Sequence, residues 1–243
     1  MSDIWPWFQQ AAAELGVPVT DAQRDAFARY HELLVEANKV TNLTRIVDDR
    51  DAAVKHYLDS MLFLGQLPAE LHERPLKLVD VGAGAGIPGI PLLIMRPHWH
   101  GLLVDSVGKK VQFMNEALEA LGLSNSRALH GRAEELAREP GHRDGYDLGV
   151  ARAVAALPEL LELCLPFVKP GGILLVSKGA KGAEELASAG PALKALHGRL
   201  RSQAHLALPD GAGERNLYVI DKHDRTPAGY PRKPGIPHRK PLC

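Results

Sequence analysis

One stretch of the chain gathers residues whose types and spacing suit the binding of a small charged molecule: Asp80-Val-Gly-Ala-Gly-Ala-Gly-Ile-Pro-Gly89. Gly82, Gly84 and Gly86 alternate directly after a short apolar run, Leu76–Val81. Glycine at such a turn lets the backbone pass close under a ligand, where a Cβ would collide. Asp80, at the end of the run, is an acceptor for a ligand amine or for the loop's own amides. A second run, Gly101–Asp105, also ends in an acid. At the carboxyl end of a parallel strand, an acid so placed takes the two hydroxyls of a ribose. A nucleoside is the natural ligand, and two kinds remain open. Gly84-Ala-Gly86-Ile-Pro-Gly89 satisfies the G-x-G-x-x-G dinucleotide pattern, which keeps an NAD(P)-dependent oxidoreductase in play. Pro88 speaks against it, since it lacks an amide where a pyrophosphate needs donors. The spacing Asp-x-Gly-x-Gly-x-Gly is instead the one seen in enzymes that use S-adenosylmethionine (SAM). A non-catalytic nucleotide-binding module and a tight turn without any ligand complete the alternatives.

Other chemistry-bearing residues are more scattered. His56, Asp59 and Ser60 fall at i, i+3 and i+4 and so share one helix face, either as a buried polar network or as a contact to RNA or cofactor. No G-x-S-x-G nucleophile elbow accompanies them, so a hydrolase is disfavoured. Arg152 and Lys178 each follow an apolar strand run and fall on the ligand side of a sheet, or are ordinary solvated cations. His98 and His100 have no acid or thiol cluster beside them, and no metal site is expected. Cys164 sits in an apolar stretch without a preceding proline, which suits a core residue and not a nucleophile for pyrimidine C6. No Asn/Asp-Pro-Pro-aromatic run is present, which argues against methylation of an exocyclic amine.

The elements that must position these residues follow from periodicity. The first 74 residues read as helices: Thr20 and Gln23 form a capping box ahead of Phe27, Tyr30, Leu34 and Ala37, and a second helix covers about Asp51 to Leu64. From residue 75 to 222 strands and helices alternate. The strands are Leu76–Val81, Gly101–Asp105, Ala128–His130, Asp147–Ala151 and Ile173–Ser177, and helices are expected to Gly122, over Leu157–Val168 and over Ala183–His197. Two late strands near Ser202–Leu208 and Asn216–Asp221 flank Pro209-Asp210-Gly211 and are expected to be antiparallel. The pattern predicts an α/β fold with a parallel sheet covered on both faces. Residues 223–243 contain Pro227, Pro231, Pro234, Pro237 and Pro241, a density that predicts an extended arm.

Composition sets the outer bounds. Of 243 residues, 45% are hydrophobic and 24% charged, as in ordinary globular proteins. Lys+Arg and Asp+Glu both total 29, so no net charge draws the chain to nucleic acid. The last 19 residues, however, carry Arg225, Arg232, Lys233, Arg239 and Lys240 and no acid, a basic arm on a mildly acidic body. Such an arm either meets a polyanion or is a solvated basic tail docked on its own body. Two cysteines cannot build a disulfide framework, the N-terminus lacks the basic and apolar regions of a signal peptide, and no run reaches the roughly 18–20 apolar residues of a membrane span. A cytoplasmic protein, without membrane or metal and acting as a monomer, is the expectation.

Read in order, Asn42-Leu43-Thr44, His56-Tyr-Leu-Asp59-Ser60, the glycine loop through Pro91, Asp105-Ser106, Lys109-Lys110, Gly131-Arg132-Ala133-Glu134, Ala151-Arg152-Ala153 and Lys178-Gly179 resemble the RsmG (GidB) family over essentially the whole chain. These are guanine-N7 methyltransferases of 16S ribosomal RNA. The resemblance implies a class I SAM-dependent methyltransferase, Rossmann-like, with a mostly parallel seven-stranded sheet, an antiparallel last strand and an N-terminal helical segment. It implies SAM as cofactor and the helix 18 loop of 16S rRNA, naked or within the 30S subunit, as substrate. Carried over residue by residue, Gly82, Gly84, Gly86, Ile87, Asp105, Ser106, Ala133, Glu134 and Arg152 would hold the cofactor, with Arg152 over the methyl-transfer site. Lys178, Arg232, Lys233, Arg239 and Lys240 would bind RNA, with Lys109 and Lys110 as further candidates. One departure is Ala83, where many members carry Ser or Thr.

Overall fold

The computed structural model describes residues 4–152 and 154–243. Residues 1–3 of the N-terminal stretch and Ala153 of the Ala-Arg-Ala motif lie outside the described residues. Seven strands form one sheet: β1 (Lys77–Val81), β2 (His100–Asp105), β3 (Arg127–His130), β4 (Tyr146–Arg152), β5 (Val168–Lys178), β6 (Gly198–Ala207) and β7 (Glu214–Lys222). Their order is β3-β2-β1-β4-β5-β7-β6. β7 runs antiparallel to both neighbours, while β1 to β5 pair in parallel. Strand order reverses between β1 and β4, the point where open α/β sheets bind ligands at their carboxyl ends.

Alternation along the strands sorts side chains onto two faces. Leu78, Leu103, Leu148, Val150, Leu175 and Val219 belong to one core cluster, and Val79, Val81, Leu102, Val104, Val176 and Ile220 to the other. The first face is covered by α1 (Ile4–Glu14), α2 (Asp21–Asn38), α3 (Asp49–Ala52), α4 (Asp59–Met61), α5 (Gly89–Met95) and α6 (Gly108–Ala120). The second is covered by α7 (Ala133–Leu136), α8 (Leu157–Cys164), α9 (Gly182–Ser188) and α10 (Gly190–Ala195), while α11 (Ile236–Arg239) lies against α8. The N-terminal helices thus share one continuous core with the sheet through Phe8, Phe27, Tyr30 and Tyr57. Thr20 and Gln23 form the capping box of α2, and the Gln23 amide also reaches the Met95 carbonyl of α5 at 3.2 Å.

Several expected elements take a different form. The helix expected over 51–64 is interrupted between α3 and α4 by a π-helical turn, Ala53–Leu58. The helix expected over 157–168 stops at Cys164, and β5 begins already at Val168. Its pairing jumps from Tyr146–Val168 to Leu148–Ile173, so Lys169-Pro-Gly-Gly172 is a bulge within a strand and not a helix stop. The helix expected over 183–197 is divided at Gly190-Pro191, where the proline opens a new helix. The arm is not extended throughout: Gly235, at φ +77°, turns it into the single helical turn α11. Pro237 fits in that first turn because no backbone partner awaits its missing N–H. Among the described residues, no helix is long and apolar enough to cross a membrane.

Candidate active site

The glycine loop leaves β1 and enters α5. Gly82, Gly84 and Gly86 all adopt positive φ, +73°, +62° and +88°, which explains glycine there whatever the ligand. Two of them also have no room for a side chain. A Cβ on Gly82 would lie 2.8 Å from the Val154 side chain, and one on Gly86 would lie 2.5 Å from Ile90. Beneath the loop the buried Tyr30 hydroxyl donates to the Ala85 carbonyl at 2.5 Å.

Six of the loop's amides are spent internally. Gly82 and Ala83 donate to the Val104 carbonyl, Gly86 and Ile87 to the Ala83 carbonyl, Gly84 to Asp105 Oδ2 and Gly89 to Asp80 Oδ2, all at 2.8–3.0 Å. A pyrophosphate needs such donors free, and these six are taken. Two acids adjoin the loop, Asp105 in the cleft wall and Asp80 beneath the Gly89 amide. Asp80 is buried, and its Oδ1 has no hydrogen-bond partner among the described residues. Burial pushes its carboxyl up to about 7, against the Gly89 amide and the Arg152 guanidinium, which pull it down; Asp105 adds to the rise. An orphaned, buried carboxylate oxygen beside the loop suits the ammonium of an amino-acid-bearing ligand. Asp105 accepts the Gly84 and Val107 amides, each at 2.9 Å, and so orients the loop as well as standing at the β2 tip.

The sequence-predicted cofactor residues fall into three groups. Gly82, Asp105, Ser106, Ala133 and Glu134 line one cleft of about 110 Å³, together with Val154 and Leu163. Gly84 joins that cleft only through Asp105. Gly86 and Ile87 have both amides bonded within the loop, Gly86 has no room for a Cβ beside Ile90, and Ile87 packs in the first core cluster.

Arg152 lines a second, larger cavity of about 490 Å³, together with His56, Asp59, Lys178, Lys181 and Arg215. Its Nη1 donates to Asp59 Oδ2 at 2.8 Å and to the Lys55 carbonyl at 2.6 Å. Arg215 Nε reaches the same Asp59 oxygen at 2.9 Å. One carboxylate thus holds two guanidinium groups at the cavity floor, and its other oxygen, like Ser177 Oγ, is buried without a partner among the described residues. His56 Nδ1 lies 3.4 Å from Arg152 Nη2 and Nε2 lies 2.9 Å from Thr44 Oγ1. Arginine only donates, so Nδ1 accepts and Nε2–H donates to Thr44. Burial, then the Arg152 charge, push the imidazole down to about 4, which keeps it neutral near pH 7. Asn38 secures this corner by accepting the Leu43 and Thr44 amides. The three motifs around Thr44, His56 and Arg152 are one network. Lys55, Lys181 and Arg215 had no local sequence signal, because only the fold brings 55, 181 and 215 to one floor.

The expected RNA contacts are placed unequally. Lys178 lies at the cavity rim, but its ammonium is bonded to Glu185 at 2.8 Å and to the Ala155 carbonyl. Arg232 is turned inward: its guanidinium and its amide make four hydrogen bonds to Glu162, which is 0% exposed. This internal pair occupies the guanidinium expected to meet a phosphate. Lys233, Arg239 and Lys240 are exposed. Cys164 is a core residue whose thiol burial pushes well above its ordinary range. Among the described residues, no group of three His, Cys, Asp or Glu side chains is arranged to hold a metal ion.

A sequence profile of the family described as rRNA small subunit methyltransferase G matches residues 23–215. The chain is 44% identical over 242 residues to the ribosomal RNA small subunit methyltransferase G of Pelotomaculum thermopropionicum, covering all of both chains. It is 43% identical to the protein of the same name from Leuconostoc citreum, covering 97% of this chain and 98% of that one. Among solved structures, a SAM-dependent methyltransferase from Aquifex aeolicus aligns with a TM-score of 0.54 at 18% identity, covering 77% of this chain and 97% of that one. A sarcosine dimethylglycine methyltransferase homologue from Galdieria sulphuraria aligns at 0.55 and 13% identity, over 73% of this chain and 89% of that one. These two likenesses concern the fold.

Proposed function

The chain belongs to the rRNA small subunit methyltransferase G family, and from that premise we propose that it transfers the methyl group of SAM to N7 of a guanosine in the helix 18 loop of 16S ribosomal RNA. The reading includes a cytoplasmic monomer acting on 16S rRNA or the 30S subunit. The observation that carries the cofactor assignment is the glycine loop, six of whose amides are bonded internally while Asp80 Oδ1 and Asp105 stand at adjacent strand ends. That polarity favours an ammonium and a ribose over a pyrophosphate, and so SAM over NAD.

Bound SAM would supply an electrophilic sulfonium methyl. Asp105 would hold the ribose, with Ser106 beside it, and the Ala133–Glu134 turn would read the adenine edge in the same cleft. Gly82 would let the cofactor pass close to the strand end, with Gly84, Gly86 and Ile87 shaping the loop from behind. Arg152 is the residue proposed at the methyl-transfer site. It borders the neighbouring cavity, and its charge reaches Asp80 on the cofactor side. Guanine N7 carries an in-plane lone pair and needs no general base, so positioning and exclusion of water suffice. A neutral His56 and an Asp59 shared by two arginines are scaffold groups in this scheme, not proton shuttles. Lys178, Lys233, Arg239 and Lys240 are proposed as RNA-side cations; Arg232 acts from within.

The test is incubation of undermethylated 30S subunits with labelled SAM, followed by nucleoside analysis of the 16S rRNA. Label in 7-methylguanosine is expected. Label in another nucleoside, or tight binding of NAD with none of S-adenosylhomocysteine, would overturn the reading.

A further inference from the structure

We propose that the C-terminal arm is a clamp that fixes the adenine end of the cofactor cleft, with Arg232 and Gly235 as its positioning residues. The inference rests on the reading that the cleft lined by Gly82, Asp105 and Glu134 takes the SAM nucleoside. Glu134, on α7, and Leu163, on α8, both line that cleft. The arm is bonded to both helices within four residues. Arg232 closes a two-pronged pair on Glu162, the neighbour of Leu163, with Nε at 2.9 and 3.0 Å from the two carboxylate oxygens and Nη2 at 2.6 Å. Gly235 then donates its amide to Glu134 Oε1 at 2.9 Å. The φ of +77° at Gly235 is what turns the chain between these contacts, and a side chain would strain it.

The remainder of the arm is held so that the clamp cannot drift. Arg143 donates to the carbonyls of Thr226, Pro227 and Tyr230 at 2.8–3.0 Å, and Arg138 donates to that of Pro231. Tyr230 and Leu242 pack against the second core cluster. Glu162 is fully buried, and a buried carboxylate without its partner is strongly unfavourable, so Arg232 stabilises α8 in this position. Glu134 is itself 7% exposed, and the bond from Gly235 fixes one of its oxygens and with it the first turn of α7. The basic residues of the arm therefore divide: Arg232 serves the cofactor cleft from behind, while Lys233, Arg239 and Lys240 remain outward.

The test uses the full chain carrying Glu162→Gln together with Arg232→Met, which removes the pair without stranding a buried charge. S-adenosylhomocysteine binding is measured by calorimetry, and methylation of 30S subunits by steady-state kinetics. The clamp requires about tenfold weaker S-adenosylhomocysteine binding and a matching rise in KM for SAM. kcat at saturating SAM and KM for 30S should stay near wild type, and Arg232→Lys, which keeps one tooth of the pair, should fall between. A folded double variant with wild-type S-adenosylhomocysteine affinity would overturn the clamp, as would a rise confined to KM for 30S, which makes the arm an RNA contact. Should the double variant not fold, the comparison of Arg232→Lys with wild type decides by the same criteria. Failure of the wild type to bind S-adenosylhomocysteine would instead overturn the nucleoside reading, and the clamp with it.

Discussion

The site is built from charged groups that are each held by another. Asp105 holds the glycine loop through Gly84 and is proposed to hold the ribose as well. Losing a charged hydrogen bond of about 1.5–3 kcal/mol should make Asp105→Ala bind SAM roughly ten- to a hundredfold more weakly. Unchanged affinity in calorimetry would remove Asp105 from the ribose site. Arg152→Ala is expected to lower methyl transfer by about 100-fold or more. Its circular dichroism should be that of the wild type, because Arg215 still neutralises Asp59. Wild-type turnover would discard Arg152. Asp80 gives a pH signature. Burial lifts its carboxyl to about 7 in the folded chain, so the folded state binds this proton more tightly than the unfolded state. Its contribution to stability is complete below about pH 4 and is lost as the pH rises to about 7. Asp80→Asn stays neutral throughout and should be more stable than wild type at pH 8, by on the order of 3 kcal/mol. Equal denaturant midpoints at pH 8 would contradict that.

At the level of elements, the legible parts were those with an unambiguous period or turn residue. The α2 capping box, the strand ends at Asp80 and Asp105 and the antiparallel β6–β7 pair all follow from local signals. What was missed has physical reasons. All seven residues of α5 are buried, so Gly89–Met95 carries no amphipathic stripe to detect. The π-helical turn at Ala53–Leu58 is one widened turn within a helical pattern, and such turns recur where helices carry function. The bulge in β5 looks like a helix stop because Lys-Pro-Gly-Gly serves either purpose. The spacing of glycines does not say which of them abut the core, and Gly86 does so through Ile90. Gly86→Ala should therefore act on the fold: it places a Cβ 2.5 Å from Ile90 at a φ of +88° and should cost a few kcal/mol in denaturant unfolding. Gly84, at φ +62° but with its Cβ direction nearly open, should cost less when changed to Ala. The reverse ranking would count against the inward-facing assignment.

On the scale of the whole molecule, a sheet of seven strands carries two adjoining recesses at its carboxyl edge, one walled by Asp105 and Glu134 and one floored by arginines from β4 and β7. The N-terminal helices complete the second recess through His56 and Asp59, and the C-terminal arm braces the first through Arg232 and Gly235. The molecule's zero net charge leaves substrate choice to the placement of these cations and not to overall attraction. The most direct measurement of the central claim is borohydride–aniline scission of 16S rRNA after methylation of 30S subunits that lack the modification, since this chemistry cuts at 7-methylguanosine. One new cut within the helix 18 loop, dependent on both protein and SAM, is the expected result. Methylated rRNA that resists scission, or a cut elsewhere in 16S rRNA, would contradict the assignment of guanine N7 in that loop.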